Sequence, residues 1–368
     1  MSIIQIEELH PKKEDEWDRL ILKSISTNFL QSYCWSEIIK KAYKYETLFL
    51  EFTENEAALA YAPLNIQYPY IRNQTFFYRI LNEINRIFSK QIISLGGPVI
   101  LKRGNDLDIM HKYLQFIDSY SQKHHVGSIH ISPFRYEPHY SNDTRILNIF
   151  EQFGYTRKIW GTYLVDLTQD EDKLWMSLEH SARKSLKQMD GRGVIVKKVS
   201  GPQEFIEKFI IPYNRMEKEF GRSEIPLWSA ETIKNTENHD KYYHYFYAEL
   251  GGNIEAVLGM PVYNGYATEI MSSTSKLAYE NKIYAQDLLH WEMFRYAKSI
   301  GCHTFDLAGV NPHPSNAKEE GIRRFKKKWG GHYIEYSVFE KELPYISNTV
   351  RNFLIRSYRK LSQLTGIR

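Results

Sequence analysis

The chain has 368 residues, 42% of them hydrophobic, and this length predicts two domains because a single core rarely grows beyond roughly 250–300 residues. The formal net charge of +4 excludes a strongly basic nucleic-acid-binding protein and fits an anionic substrate such as a phosphate. The two cysteines, Cys34 and Cys302, are too few for a metal site or a disulfide framework, so we predict no metal and no cofactor.

Helices and strands alternate along the first half of the sequence, a pattern typical of a layered α/β (α+β) fold. Apolar spacing predicts a helix over residues 14–25 and a hairpin over 47–66 with its turn at Glu54-Asn55. A second helix is predicted over residues 105–123, and a strand over 128–132 follows it.

Residues 68–90 combine aromatic side chains with Arg72, Arg79, Arg86 and Lys90, and they predict an amphipathic helix. We expect this helix to pack on its own domain, and the alternative is that it lies on an anionic membrane. The sequence has no signal peptide and no run of about 18 apolar residues. We therefore expect a cytoplasmic protein, with peripheral association at the inner face of the membrane as the alternative.

The second half of the sequence repeats the order of the first. A hairpin predicted over residues 243–263 turns at Gly251-Gly252, which is a favoured turn pair. Helical spacing over residues 282–300 ends at Gly301, and a strand over 304–308 follows.

Three matches between the halves keep the same order along the chain. Pro63 matches Pro261 within the hairpins, and the segment VGSIHIS matches IGCHTFDLA where a helix leads into a strand. Phe153-Gly154-Tyr155 then matches Trp329-Gly330-Gly331. Such an internal repeat indicates a duplicated domain. We predict domains over residues 1–165 and 166–343, and a C-terminal helix over 344–368 that packs back on the first domain.

Common catalytic signatures are absent from the sequence: it has no P-loop, no GxSxG elbow and no HExxH motif. Three basic stretches could bind an anion, and the alternative for each is a solvated charged face. They cover residues 180–198, residues 321–331, where five cations surround Phe325, and the C-terminal tail over residues 350–368. Lysine is a point-charge partner for a phosphate or a developing oxyanion, and the nearby glycines allow close backbone approach.

Four segments resemble, in the same order, the FemA/FemB/FemX family of peptidoglycan-bridge aminoacyltransferases. They are FLQSYCWSEIIKKAYKYE from residue 29, SARKSLKQMDGRGVIVKKV from 181, AQDLLHWEMFRYAKSIGCHTFDLAGV from 285 and GIRRFKKKWGGHYIEY from 321. The resemblance implies two tandem domains that are each built like a GNAT acetyltransferase. No sustained heptad pattern is present, so we expect the arm-less form without a long coiled coil.

The resemblance also implies roles for particular residues. The Phe-Lys pair near the end of these enzymes lies at the reaction centre, and here it is Phe325-Lys326. Lys326 would stabilise charge on the transferred acyl carbonyl, and its neighbours Lys327 and Lys328 serve as internal controls whose substitution by methionine is expected to have small effects. The predicted catalytic residues are therefore Lys326 and Phe325. The predicted substrate-binding residues, which include candidates for a phosphate, are Lys40, Trp35, Arg222, Arg183 and Arg324.

The function implied is transfer of an amino acid, with aminoacyl-tRNA as the donor, to an amine of a nucleotide- or lipid-linked cell-wall precursor. CelD-type acetyltransferase-like proteins share the same motifs, so the alternative is acyl-CoA-dependent N-acylation of an amino sugar in polysaccharide biosynthesis. The segment STSKLAYENKIYAQDLL, where a CoA-binding turn is expected, contains no glycine, and this counts against CoA. A non-enzymatic module that binds RNA or a membrane is the third hypothesis.

Overall fold

The chain divides into two units, each of which contains parallel and antiparallel pairs of strands. The computed structural model describes residues 4–24, 27–68, 76–101, 104–133, 136–189 and 191–343, together with positions 353, 356 and 357. Unit 1 comprises Met1–Ile159 and Tyr336–Arg368, and unit 2 comprises Trp160–Glu335. Apart from the three isolated positions, the helix predicted over 344–368 lies outside the described residues.

Unit 1 contains the first strands and helices of the chain. Its strands are β1 (Gln5–Leu9), β2 (Glu46–Glu54), β3 (Ala57–Gln67), β4 (Gln91–Gly96), β5 (Val99–Ile100) and β6 (Ser128–Pro133). Its helices are α1 (Glu14–Ile21), α2 (Tyr33–Tyr43), α3 (Phe76–Phe88), α4 (Asp106–His124), α5 (Pro138–Ser141) and α6 (Thr144–Gln152). The chain leaves the unit within β7 (Thr156–Asp166) and returns to it within β14 (His332–Glu342).

The core of unit 1 lies between its strands and the helices α4 and α6. The strand order is β1-β2-β3-β4-β6-β14, with β4 and β6 parallel and α4 connecting them. Tyr113 of α4 is fully buried, and its hydroxyl bonds the Ser94 hydroxyl of β4 at 2.5 Å. Phe150 of α6 stacks on Phe339 of β14 at 3.7 Å between ring centroids. Burial of these large side chains holds the helices on the sheet.

Unit 2 contains the remaining elements. Its strands are β8 (Ile195–Lys198), β9 (Tyr243–Leu250), β10 (Asn253–Tyr263), β11 (Tyr266–Thr268), β12 (Ile270–Thr274) and β13 (Thr304–Asp306). Its helices are α7 (Glu171–Ser177), α8 (His180–Met189), α9 (Gly201–Glu204), α10 (Ile211–Glu219), α11 (Leu227–Lys234), α12 (His239–Tyr242), α13 (Lys276–Glu280), α14 (Ala285–Ser299) and α15 (Ala317–Lys327). A π-helical segment, Phe205–Ile210, joins α9 to α10.

Helix α14 supplies most of the helical core of unit 2. The strand order is β7-β13-β11-β10-β9-β8, and β12 also pairs with β10. Leu289, Met293 and Phe294 of α14 are fully buried, as is Trp329, which lies two residues after the end of α15. Strands β11 and β13 are parallel, and α14 lies between them in sequence. This arrangement parallels β4, α4 and β6 of unit 1.

The two units share an order of elements, as the internal repeat predicts. A hairpin, a long helix, a short strand, a further helix and a last strand follow one another in each unit. The last helix ends at a glycine with positive φ in both, at Gly154 (φ 76°) and at Gly330 (φ 73°). Glycine suits these positions because a side chain disfavours the left-handed region.

Some element ends differ from the sequence prediction. The first helix ends at Ile21 rather than residue 25, and the first hairpin turns at Asn55 and Glu56, whose φ values are 49° and 66°. The strand predicted over 304–308 ends at Asp306, because Ala308 has a φ of 61°, which extended strands do not adopt. Hydrophobic periodicity does not predict the backbone angles of single residues, so it could not predict these element ends.

Candidate functional site

Two neighbouring strands separate in the middle of unit 2. β11 pairs with β13, and the last contact of this ladder is the bond from the Glu269 backbone N–H to the Asp306 carbonyl at 2.8 Å. Beyond that bond, β12 continues along β10. The segment after β13 instead follows β7, since the Leu307 N–H donates to the Tyr163 carbonyl. A gap therefore opens between the diverging segments, with Glu269 at its apex.

A buried aspartate holds the chain after β13 in its turn. The Asp306 carboxylate accepts from the Ala308 N–H at 2.8 Å, and it contacts the Thr162 hydroxyl at 2.5 Å. The same hydroxyl lies 2.8 Å from the Ala308 carbonyl oxygen. These bonds stabilise the unusual backbone angle of Ala308, since such residues cost roughly 1–3 kcal/mol and need support. They also fix the position of Gly309, the next residue.

Helix α15 brings Lys326 to this turn. The helix begins at Asn316, whose side chain accepts from the Glu319 N–H at 3.0 Å and caps the first turn. Lys326 lies in its last turn, is only 9% exposed, and donates from Nζ to the Gly309 carbonyl at 3.2 Å. A lysine rarely stays this buried without a function or a nearby negative charge. Here Glu269 supplies the negative charge.

Glu269 and His290 form a buried pair beside Lys326. His290 of α14 is fully buried, and its Nε2 lies 3.3 Å from the Glu269 Oε2 atom. Burial raises the pKa of Glu269, but His290 and Lys326 outweigh burial and hold that pKa below its usual value. The carboxyl group is therefore ionised at neutral pH, and a cluster of charged side chains lies at the apex of the gap.

Aromatic rings enclose His290. Its ring stacks on Trp329 with centroids 5.2 Å apart and planes 12° apart, and it meets the edge of Phe325 at 5.1 Å. Phe325 is half-buried and packs on the core of unit 2. Phe325, which was predicted to lie at the reaction centre, therefore lies next to the Glu269–His290 pair. Whether it contacts a substrate stays a prediction.

An open cavity of about 560 Å³ lies on the outer side of α15. It is lined by Glu179, Ser181, Gly321, Arg324, Phe325, Lys327 and Lys328. Arg324 and Lys327 are exposed, whereas Lys328 donates to both carboxylate oxygens of Asp287 at 2.7 Å. The two exposed cations give the cavity a chemistry suited to an anionic group. Lys328 is thus engaged in a largely buried ion pair with Asp287.

Two predicted binding arginines of unit 2 already contact protein groups. Arg183 of α8 donates to the carbonyl oxygens of Met176 and Leu178 and so ties α8 to the end of α7. Arg222 pairs with Glu217 at 2.9 Å, and its guanidinium lies 5.1 Å from the Phe220 ring centroid. Both arginine side chains thus have partners within unit 2. That they bind substrate stays a prediction.

The other two predicted binding residues, Lys40 and Trp35, lie on α2 of unit 1. Lys40 is exposed, and its Nζ lies 3.3 Å from a carboxylate oxygen of Glu37. It lines a cavity of about 220 Å³ together with Tyr33, Ser36, Glu37, Tyr45, Glu46, Thr47, Phe49 and Pro11. Trp35 is half-buried and packs edge-on against Phe29 at 6.1 Å. The two residues are separated by about 1.4 turns of α2, and only Lys40 lines the cavity.

Sequence reasoning did not single out Glu269 or His290. Glu269 stands between Thr268 and Ile270 in a segment with the composition of a strand. An acidic residue that such a strand buries needs a partner, and this pattern could have indicated a site. His290 lies on the predicted helix over 282–300 among apolar residues and was indistinguishable from a histidine of the core. Only the fold shows that both residues meet Lys326.

A family model matches the segment of the chain that contains the cluster. Residues 230–338 match the model of the FemAB family, and this range includes Glu269, His290 and Lys326. A comparison with curated protein sequences finds no match to the chain. The crystal structure of FemX is similar, with a TM-score of 0.71 at 14% identity, over 98% of this chain and 99% of that one.

Two further solved structures share the fold. A tandem GNAT protein from the clavulanic acid biosynthesis pathway has a TM-score of 0.54 at 10% identity, over 92% of this chain and 98% of that one. The C-terminal domain (DUF2156) of a putative lysylphosphatidylglycerol synthetase from Agrobacterium fabrum has a TM-score of 0.52 at 14% identity, over 90% and 95% of the two chains.

These likenesses confirm the predicted fold of two tandem GNAT-like domains. Within the described ranges, no helix is both long enough and apolar enough to cross a membrane. The longest described helix is α4, with 19 residues, so the described chain also has no long coiled-coil arm. The match over residues 230–338 confirms the resemblance to the FemAB family, and the solved structures show the shared fold.

Proposed function

We propose that the chain transfers an amino acid from aminoacyl-tRNA to an amine of a nucleotide- or lipid-linked cell-wall precursor. The observation that carries the proposal is the buried Lys326, which lies at the apex of two diverging strands within the segment that matches the FemAB family. One structural neighbour is named for the synthesis of lysylphosphatidylglycerol, a lipid that carries an amino acid, and this name agrees with aminoacyl transfer.

The chemistry is attack of a neutral amine on the carbonyl carbon of the aminoacyl ester. A C–N bond forms, and the carbonyl oxygen becomes an oxyanion that the Lys326 ammonium group stabilises. The ester C–O bond then breaks, the amine proton passes to the leaving hydroxyl oxygen, and an amide remains. This reaction depends on positioning two substrates and stabilising one developing charge, which agrees with the lack of a nucleophile motif.

The exposed cations would bind the phosphates of the substrates. Arg324 and Lys327 line the open cavity beside α15. Lys40 lines the small cavity of unit 1 and would exchange its contact with Glu37 for a substrate phosphate. Arg222 would do the same with Glu217.

Binding measurements test the phosphate role of Lys40 and Arg222. We expect Lys40→Ala and Arg222→Ala each to weaken the binding of a uridine-diphosphate sugar and to flatten its salt dependence, because each removes one cation. Isothermal titration calorimetry at two salt concentrations measures both effects, and Lys41→Ala on the same helix is the matched control. Unchanged affinity in both variants would remove the assignment.

The alternative is acyl-CoA-dependent N-acylation of an amino sugar, which the likeness to a tandem GNAT protein favours. Donor assays separate the two reactions. The purified chain is incubated with amine acceptors and either a radiolabelled aminoacyl-tRNA mixture or radiolabelled acetyl-CoA. Transfer from aminoacyl-tRNA alone supports the proposal. Transfer from acetyl-CoA alone supports the alternative, and salt-dependent RNA binding without turnover supports a non-enzymatic module.

A further inference from the structure

Helix α8 of unit 2 exposes two neighbouring lysines. Its buried residues repeat at helical spacing and are Ala182, Ser185, Leu186 and Met189. The opposite face exposes Lys184 and Lys187, here called the lysine pair. They lie three residues apart, which makes them neighbours on the helix surface. Residues 180–198 contain six cations in all and one acidic residue, Asp190, so this segment is strongly basic.

Neither member of the lysine pair has an ion-pair partner among the residues that the structure describes. The exposed Lys197 of β8, by contrast, pairs with Glu249. The helix dipole favours Lys187 in the last turn, but it does not account for Lys184 in the middle of the helix. Two like charges this close repel each other and weaken the helix slightly. The lysine pair therefore fits the binding of an anion better than the stabilisation of α8.

The lysine pair continues the open cavity beside α15. Ser181, about one turn before the pair, lines that cavity together with the exposed cations Arg324 and Lys327. The row from Ser181 to the farther lysine rises roughly 9 Å along the helix axis. Glu179 also lines the cavity, so the cations there outnumber the acid. A positive surface therefore runs from the cavity along α8.

The arrangement of these cations fits an RNA strand, which is a chain of phosphates. Proteins that bind single-stranded nucleic acids combine a positive groove along the backbone with aromatic side chains beside the bases. Phe325 supplies an aromatic ring to the cavity. A helix that lies on a membrane instead exposes large apolar side chains beside its cations. All exposed residues of α8 are polar, which favours RNA over a membrane; they are His180, Ser181, Lys184, Lys187 and Gln188.

We propose that the lysine pair binds the phosphate backbone of an RNA strand, and that the open cavity takes a nucleotide near the end that carries the amino acid. The inference rests on the proposed function, because aminoacyl-tRNA is the donor in that function. Phe325 lines the cavity and also meets His290 at 5.1 Å, so the cavity lies beside the buried cluster that contains Lys326. Contacts to phosphates carry no sequence information, so this surface holds any tRNA and does not select the amino acid.

Fluorescence anisotropy of labelled, unacylated tRNA measures this binding without any turnover. Each phosphate contact to a single strand contributes about 0.7 to the slope of log affinity against log salt concentration. For the full chain with both Lys184→Gln and Lys187→Gln, we expect this slope to be about 1.4 smaller. The affinity at about 0.1 M salt should fall more than tenfold.

The matched control carries both Lys218→Gln and Lys276→Gln, which remove the same charge from exposed positions elsewhere in unit 2. We expect it to bind tRNA with the affinity and the salt slope of the wild type. Equal affinities and slopes for the two double variants overturn the proposal, because the lysine pair would then contribute only to the net charge. Circular dichroism confirms that each variant is folded before its binding is compared.

Vesicles that contain phosphatidylglycerol test the membrane as the occupant of the same surface. We expect the wild type and the lysine-pair variant to bind these vesicles equally, because α8 exposes no apolar side chain. Loss of vesicle binding in the lysine-pair variant, with unchanged tRNA binding, overturns the proposal and assigns the surface to a membrane.

Binding and transfer together separate this inference from the proposed function. If tRNA binding depends on the lysine pair but no amino acid is transferred to any acceptor, the RNA surface stands and the aminoacyltransferase is removed. If aminoacyl-tRNA serves as the donor but tRNA binding is unchanged in the lysine-pair variant, the proposed function stands and this inference is overturned.

Discussion

Three consecutive lysines at the end of α15 have three different environments. Lys326 is buried and bonds the Gly309 carbonyl, Lys327 is exposed, and Lys328 is paired with Asp287. The sequence KKK gives no hint of this difference. Successive helical residues point about 100° apart, so a run of one residue type samples several faces of its helix. The identity of the buried lysine was expected only from the resemblance to a family.

The Lys328–Asp287 pair is predicted to be important for stability. Side-chain exposure is 15% for Lys328 and 5% for Asp287, so Lys328→Met leaves a carboxylate buried without its cation. We expect the free energy of unfolding to fall by about 3–5 kcal/mol, and Lys327→Met to change it by less than about 0.5 kcal/mol. Urea titration measures both. Equal stability of the two variants would show that the pair contributes nothing.

A double variant provides the control for this prediction. Lys328→Met combined with Asp287→Asn removes both charges, so it should be more stable than Lys328→Met alone. A further loss of stability in the double variant would contradict the assignment of the penalty to an unpaired Asp287.

At the scale of elements, periodicity and turn residues predicted much of the architecture. The hairpin over 243–263 is observed as β9 and β10, with its turn at Gly251-Gly252. The sequence could not show that β12 and the chain after β13 separate at Glu269, because this depends on which strands pair. Pairing between strands that are distant in sequence leaves no local pattern, and the candidate site depends on it.

Gly154 and Gly330 occupy corresponding positions in the two units, and both have a positive φ. The stabilities of their alanine variants can therefore be compared. A Cβ atom at Gly330 would lie 2.3 Å from the Ser177 carbonyl oxygen, whereas at Gly154 no heavy atom lies within 4 Å. Gly154→Ala should therefore cost only the left-handed backbone penalty of about 1–2 kcal/mol. Gly330→Ala should cost clearly more, because α7 must move.

Differential scanning calorimetry of the two glycine variants measures this difference. A similar lowering of the transition temperature in both would contradict the close packing of Gly330 against Ser177. Gly301→Ala, at another open position with a φ of 86°, is a further control and should resemble Gly154→Ala.

At the scale of the whole molecule, we expect the free energy of unfolding to depend on pH through the protonation of His239 in unit 2. The ring stacks on Tyr243 at 4.7 Å, and its Nε2 lies 3.1 Å from the Tyr245 hydroxyl. Burial lowers the pKa of His239 from 6.5 to about 4, so the folded state favours the neutral ring. Above pH 6.5 the ring is neutral in both the folded and the unfolded state, and protonation of this residue costs no stability. As the pH falls from 6.5 towards 4, the unfolded state takes up a proton that the folded state does not, and the free energy of unfolding falls by about 3 kcal/mol in all.

His239→Phe keeps a stacked ring without a titrating group. Between pH 6.5 and 4, its free energy of unfolding should therefore fall about 3 kcal/mol less than that of the wild type. Urea titrations at several pH values, followed by tryptophan fluorescence, measure this slope. His10→Gln, at an exposed position, is the control and should follow the wild-type curve. Parallel curves for wild type and His239→Phe would contradict the prediction.

The central claim is that Lys326 stabilises the transition state of acyl transfer, and single-turnover rates of Lys326→Met and Lys327→Met test it most directly. With a donor and an acceptor identified, Lys326→Met should lower kcat by ~10²–10³ with little change in KM, which is typical of an interaction made mainly in the transition state. Lys327→Met should keep a kcat close to that of the wild type, because Lys327 is exposed on the same helix and the loss of a phosphate contact in the open cavity should change KM only. A folded Lys326→Met variant with a rate near that of the wild type would contradict the claim.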